Sequence, residues 1–525
     1  MILTNENILQ GLPPGFRNIT VSSGIRAAAR RVPNKPALIC GDRQRTYAQL
    51  IEAMNRVANG VMGLGLLPGQ NAAIISPNAL EYIEIVCGVS DIGAAIATPN
   101  PKLTGPELAD ICNDAQARIL FVHPDSLKTV DRSLMKTVEH VIVLDKQYDD
   151  FLKKASALFN VPVIPEWATF SIPYTSGTTG KPKGVMLPHR ARSMTFLGYA
   201  AEYGIYSPDD YFLAFAPMCH GAGLAYAMSS IFFGGTTEIM PSFDAETVLR
   251  AVHSGRVTGM FTVPTHYHVM FSMERPLLDS LRGNRLKGIV ANAAPLAQST
   301  KEQIVEYFGD GLLHETYGST EAGTVSNLRP QDQLRKRNCV GLPFVGTTIK
   351  LLDDKGEEVG PNEVGELFST SPTLFNGYWG KEEATKETLK DGWVGVGDLA
   401  MRDEEGYLYI VDRKKDMVIS GGINIYPREI EDVIDTHPAV KESAAFGVPD
   451  ERWGELVVMA VVSNEGTSIG AEELEQFARQ NLASYKLPKK IVPIECLPRN
   501  ANGKILKTEL RKWYAKMKAD GEAGS

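Results

Sequence analysis

The sequence predicts an α/β protein: a large N-terminal domain of doubly wound α/β sheets, then a smaller α+β C-terminal domain. Three observations carry this. Before residue 412, strand-length apolar runs alternate with helix-period stretches, the pattern of parallel sheets crossed by helices. Past residue 412 the order changes to helix, two strands, helix, strand, as in a compact α+β domain. The chain, at 525 residues, is also too long for one ordinary core.

Thr46 can cap a helix in which Leu50, Ile51, Met54, Val57, Ala58 and Val61 share one face; Gly63 and Gly65 end it. NAAIIS, between Gly69 and Pro77, reads as a buried strand, and residues 78–93 return to helix. Strands recur at 119–123 and 141–144. GMFTVPT (259–265) and LKGIVANAAPL (286–296) are strand-like and end in small residues and proline, where a doubly wound sheet holds its ligands. In the C-terminal part, PREIEDVIDTH opens with Pro427 and buries Ile430, Val433 and Ile434. KESAAFGV and ELVVMAVVS read as strands, and AEELEQFARQNL places Leu474, Phe477, Ala478 and Leu482 on one face. A last strand, KIVPIEC, leads into PRNANGK and a basic terminal helix.

Bulk chemistry narrows the function. A net charge of −8 and a pI near 5.7 give no basic footprint for nucleic acid or an anionic membrane. The six cysteines, at 40, 87, 112, 219, 339 and 496, form no CxxC pair, so reduced and mostly buried thiols are expected. The N-terminus MILTNENILQ lacks the features of a signal peptide, and no run of eighteen apolar residues occurs. The expectation is a soluble, cytoplasmic protein. A homodimer is compatible with the sequence, which does not determine oligomeric state.

Residues 174–184 read YTSGTTGKPKG. Such a stretch has almost no apolar surface to bury. Ser176, Thr178 and Thr179 offer hydroxyls, while Gly177, Gly180 and Gly184 let backbone N–H groups converge on an anion. Lys183 can supply a point charge to a polyphosphate. A strand leads in and a second, residues 185–188, leads out. Gly180–Lys181 is followed by proline, so this is not the Walker pattern.

The loop resembles the phosphate loop of the adenylate-forming superfamily: acyl-CoA synthetases, peptide-synthetase adenylation domains and beetle luciferases. Six further motifs agree in order: PMCHGAGL (217–224), NAAPL (292–296), YGSTEAG (317–323), GVGDLA (395–400), VDRKKDMVISGGINIYPREIE (411–431) and PRNANGK (498–504). The resemblance spans residues 20 to 510. It implies an adenylation core at 1–412 with a small β-barrel-like part, and a mobile lid at 413–525 with its hinge near Lys415.

It also implies site roles. Thr175, Ser176, Gly177, Thr178, Thr179, Gly180 and Lys183 would bind ATP phosphates, with Ala293, Ala294, Tyr317 and Gly318 near the nucleotide and Tyr317 on the adenine. Thr320 would contact the α-phosphate and Glu321 would help hold Mg²⁺, a hard cation that prefers carboxylate and phosphate oxygens. Asp398 and Arg413 would contact the ribose; Val396 stands where the family usually has threonine. His220, Gly221, Phe261, Thr262 and Ala291 would line the acyl pocket, with Tyr226, Met228, Thr265 and His266 nearby. Ser420, Gly421 and Gly422 would admit the pantetheine arm of CoA, though a plain turn after a strand would read the same way. Lys504 would reach in during adenylation and would be the site of lysine acylation.

The implied reaction uses ATP, Mg²⁺ and coenzyme A: a carboxylate attacks the α-phosphate, giving acyl-adenylate and pyrophosphate, and a thiol then releases AMP. The expected substrate is a medium or long fatty acid or an aryl acid, since the pocket residues are apolar and aromatic and no arginine stands out among them. Two alternatives stay open: an acyl-adenylate synthetase loading a separate carrier protein, and a non-catalytic nucleotide-binding regulator of the same fold.

Overall fold

The computed structural model describes residues 18–176, 182–464, 466–467, 470–499 and 505–519. The chain divides into two compact units, residues 1–349 with 369–394, and residues 350–368 with 395–525.

The larger unit holds two sheets. In the seven-stranded one, His140–Val143, Ala117–Val122, Asn71–Ile75, Ala95–Thr98 and Thr169–Ser176 run parallel, and Pro182–Gly184 and Leu187–Pro188 pair antiparallel with the last of these. In the nine-stranded one, six strands from Pro36–Cys40 to Leu313–Ser319 run parallel, and antiparallel strands close both edges. Asn71–Ile75 is buried at every position, which explains its unbroken apolar run.

Thr46 caps the helix Tyr47–Gly63 as expected, in a reciprocal box: Gln49 N–H donates to Thr46 Oγ1 at 3.3 Å and Thr46 N–H to Gln49 Oε1 at 2.9 Å. This helix packs on Leu80–Ser90, of which every residue is buried. Gly88 allows the approach, since a Cβ there would stand 2.5 Å from Val57 Cβ. Glu84 in that helix is buried but paired, to Arg45 Nε at 2.8 Å and to the Tyr148 hydroxyl at 2.9 Å.

The strand expected at 185–188 is divided. Val185 N–H donates to Pro173 O, but Met186 N–H donates to Gly377 O, so the backbone leaves one partner for another. The helices His189–Tyr203 and Gly221–Phe233 fill the core beside them. Strands Thr348–Leu352, Gly365–Thr370, Leu389–Lys390, Trp393–Arg402 and Leu408–Arg413 form a separate five-stranded sheet.

The smaller unit is an α+β sandwich. Strand Gly454–Ser463 sends Val457, Met459 and Val461 to one core, with Ile430, Ile434, Leu474 and Ala478. Val458 and Ala460 enter another core, with Phe446, Leu510 and Tyr514. The period of two thus buries both faces under helices Pro427–Ile434, Ala471–Asn481 and Lys507–Ala519. All six cysteines are free thiols, four of them buried. Among the described residues no helix is long and apolar enough to cross a membrane.

Candidate active site

On either side of residues 177–181, Tyr174, Thr175 and Ser176 pair antiparallel with Gly184, Lys183 and Pro182. Gly184 must be glycine: a Cβ would stand 2.8 Å from Ile172 Cγ2 and 2.9 Å from Tyr174 Cζ. The Tyr174 hydroxyl donates to Asp114 Oδ2 at 2.8 Å, which anchors the incoming strand. Gly177, Thr178, Thr179 and Gly180, and the Ser176 side chain, lie outside the described residues. Lys183 is described. Its Nζ lies 4.9 Å from the centre of the Tyr378 ring. The Tyr378 hydroxyl donates to Glu321 Oε1 at 2.7 Å. One phenol therefore gathers the loop lysine and a carboxylate that is only 9% exposed. Burial and the adjacent Glu321 charge both raise the Tyr378 pKa, so the phenol keeps its proton and stays a donor.

Thr320 and Gly221 are neighbours. A Cβ on Gly221 would stand 3.5 Å from Thr320 Cγ2, 3.8 Å from Pro173 Cγ and 3.1 Å from Nη2 of Arg192. Arg192 comes from the helix His189–Tyr203 and is buried, with 8% of its surface exposed. Its Nε and Nη2 have no hydrogen-bond partner among the described residues. Burial lowers its pKa to about 10, with the Tyr199 phenol pulling the other way, so the guanidinium remains charged at neutral pH. His220 precedes helix Gly221–Phe233 but does not cap it with its ring. Burial, reinforced by Lys102, lowers the His220 pKa and favours neutral imidazole.

Tyr317 lies half-buried in the strand Leu313–Ser319, paired with Ser326. Gly318 follows at a bulge where a Cβ would clash with Gly323 O at 2.1 Å. Ala293 and Ala294 are exposed beyond the strand Gly288–Ala291, and Ala293 adopts φ +77°, an uncommon conformation for a residue with a side chain. Asn292 Nδ2 donates to Thr316 Oγ1 at 2.7 Å, tying that turn to the neighbouring strand.

The expected acyl-pocket residues divide between two faces of the nine-stranded sheet. Phe261 stacks on Tyr226 at 4.2 Å, and Tyr226 stacks on Tyr199 at 4.4 Å with the rings 7° from parallel. Thr262 and Ala291 belong with the opposite core: Thr262 Oγ1 lies 2.7 Å from the Tyr267 hydroxyl, and Ala291 packs among that core's side chains. Met228 is fully buried, and His266 is committed to its own helix, where Nδ1 accepts from Val263 N–H at 3.1 Å.

In the smaller unit, Asp398 and Arg413 sit opposite each other on paired strands and form a 2.5 Å ion pair. Asp398 is 4% exposed. Lys415 is exposed in the turn that follows, where Asp416 N–H donates to Arg413 O. Gly421 and Gly422 form the tip of the hairpin Val418–Ser420 and Ile423–Ile425, with φ of +59° and +80°. A Cβ on Gly421 would stand 2.9 Å from Trp453 Cε3. Ile419, Ile423 and Trp453 are exposed around this tip. Lys504 lies outside the described residues.

Sequence reasoning passed over Arg192, Tyr199, Tyr378 and Trp453. For Tyr378 a signal existed, an aromatic between Gly377 and Gly380, both of which take positive φ. Arg192 lies on a helix whose buried face also carries His189, Ser193 and Thr195, so hydrophobic period gives no cue.

Two family models match the chain: the AMP-binding enzyme model over residues 25–379 and the AMP-binding enzyme C-terminal domain over 429–504. A feruloyl-CoA synthase of an Amycolatopsis species is 35% identical over 95% of this chain and 100% of its own length. A 2-succinylbenzoate–CoA ligase of Geobacillus kaustophilus is 32% identical over 95% of this chain and 99% of its own. The crystal structure of ATP-bound MatB from Rhodopseudomonas palustris superposes with a TM-score of 0.86 at 29% identity, covering 95% of this chain and 99% of that one. With the model match spanning more than half of its length, the chain belongs to the family of AMP-binding enzymes.

Proposed function

We propose that this enzyme is an AMP-forming acid–CoA ligase that activates an aryl or fatty acid with MgATP and passes the acyl group to CoA. The observation that carries this is the Lys183–Tyr378–Glu321 arrangement beside Thr320, a cation and a carboxylate held at the root of the anion loop. Lys183 and the loop bind the phosphates, and Glu321 offers Mg²⁺ an oxygen beside phosphate oxygens. Tyr317 supports the adenine, and Thr320 contacts the α-phosphate. The Asp398 carboxylate accepts from the ribose diol, held in place by Arg413. Lys504 offsets the negative charge that grows as the carboxylate reaches phosphorus.

The second half-reaction belongs to the exposed hairpin. Gly421 and Gly422 leave a slot without side chains, flanked by apolar Ile419, Ile423 and Trp453, that suits a pantetheine arm. Residues 413–525 act as the lid, turning near Lys415 after adenylation. Among acids, the flat stack of Tyr199, Tyr226 and Phe261 favours an aryl group over a straight aliphatic chain. Feruloyl-CoA synthase and 2-succinylbenzoate–CoA ligase, both named for aryl acids, lend support.

The test is mass spectrometry of products from pooled aliphatic, benzoic and cinnamic acids, each class with mono- and dicarboxylic members, with ATP, Mg²⁺ and CoA. Acyl-CoA and AMP are expected. Acyl-adenylate without thioester would sink the CoA assignment in favour of a carrier protein; no adenylate from any acid would sink the enzyme reading.

A further inference from the structure

A buried guanidinium with two unpaired nitrogens is out of keeping with the rest of this core. Asp91, Glu84 and Asp210, also buried, are each held by a basic side chain. Removing a charge from water is costly unless a partner of opposite sign compensates. Among the described residues no carboxylate supplies that partner to Arg192: the neighbour that favours its charge is the Tyr199 phenol, which burial keeps protonated.

We propose that Arg192 holds a second, non-reacting carboxylate of the acid substrate, so that the preferred acid is a dicarboxylate. This rests on the acid–CoA ligase reading above and names its substrate class. Three features converge on it. Arg192 Nη2 abuts Gly221, and any side chain at 221 would intrude on it. Gly221 begins a thirteen-residue helix with no side-chain cap, so its positive end adds to the same attraction for an anion. Two turns along its own helix, Tyr199 opens the buried aromatic stack that the proposed function links to an aryl acid, so Arg192 and that stack share one helix. The phosphates have their own lysine at Tyr378.

The reacting carboxylate is the wrong partner on chemical grounds. A fork-to-fork pair with arginine would tie up the lone pairs that must attack phosphorus. Once that carboxylate is a mixed anhydride its charge is gone, and Arg192 would be buried alone again. A spectator carboxylate keeps the pair intact through both half-reactions.

The test uses the full chain and matched acids: linear and benzene dicarboxylates, each beside the analogue in which one carboxylate is replaced by methyl. AMP release is measured with MgATP and CoA. The best diacid should exceed its monoacid twin in kcat/KM by about a hundredfold, the scale set by desolvated charge pairs. Arg192→Gln should erase most of that ratio through the KM for the diacid, with the KM for MgATP unchanged, and Arg192→Lys should restore part of it. Equal or better turnover of monoacids by the native enzyme would overturn the proposal, as would a rise in the KM for MgATP in Arg192→Gln with the diacid ratio intact.

If no acid of either series releases AMP, the ligase reading fails. Calorimetric binding of the same diacids to the native chain and to Arg192→Gln then decides the Arg192 assignment by itself. Binding lost in the variant upholds it, and binding retained, or absent from both, overturns it. Should Arg192→Gln misfold, the native diacid-to-monoacid ratio still decides between a diacid and a monoacid substrate.

Discussion

The two units handle their charged and reactive groups in opposite ways. In the larger unit Glu321 and Arg192 are sunk in the fold, and Arg192 has two nitrogens without a hydrogen-bond partner among the described residues. In the smaller unit Asp398 and Arg413 satisfy each other, and the glycine hairpin stands exposed. The contrast follows from the two half-reactions proposed. Phosphoryl chemistry profits from preorganised charge away from water, where each interaction is strong. A thiol on a long flexible arm needs an open approach and little charge.

The largest effect separating the two half-reactions is expected at the lysine. Lys504→Ala should slow adenylation ~10²–10³-fold, as loss of a charge-stabilising donor does. Glu321→Gln should slow it about a hundredfold through weaker metal-assisted charge stabilisation. In both variants the transfer to CoA from supplied acyl-adenylate should proceed at the native rate. Equal slowing of both steps, read by rapid quench, would dissolve the division of labour.

A second contrast is in pH response. His189, His266 and His314 of the larger unit are buried, and burial depresses their pKa to about 3, about 4 and about 4. Each is neutral when folded but takes a proton near pH 6.5 when unfolded. The stability they confer is complete above pH 6.5 and is lost as pH falls toward 4, by up to about 1.4 kcal/mol per pH unit for each histidine. Pulse proteolysis at pH 6.5 and 5.5, with cleavage sites mapped, should show the larger unit opening more at the lower pH. Unchanged cleavage there would contradict the sign.

The smallest effect is expected at the hairpin. Gly421→Ala places a side chain at φ +59° against Trp453 and should slow CoA transfer about fivefold, in line with ~1 kcal/mol of backbone strain, while sparing adenylation. A variant that transfers normally would remove this hairpin from the CoA path.

The parts of this architecture that were legible rest on local rules. The Thr46 cap, the buried NAAIIS strand and the C-terminal helix–strand order each follow from a few adjacent residues. The helix His189–Tyr203 was not legible, because its buried face carries histidine, arginine, serine and threonine and so has no apolar period. The division of Phe261 from Thr262 and Ala291 was hidden for another reason. Alternation says that neighbours in a strand face opposite ways, but not which core each one meets. Arg192, which the sequence does not single out, lies beside Gly221 and comes from an element distant in sequence from the motifs expected to line the acyl pocket.

Tyr378 receives Lys183 on its face and Glu321 at its hydroxyl. A phenol used in this way is an insulator: it anchors two opposite charges to one rigid plate without joining them in an ion pair. On the proposed function, an arriving magnesium nucleotide would meet no salt bridge between these two groups, among the described residues, to break before it engages either one. On that proposal Tyr378 would keep the resting site polarised, and Tyr378→Phe would leave the carboxylate free to swing toward the lysine and neutralise it.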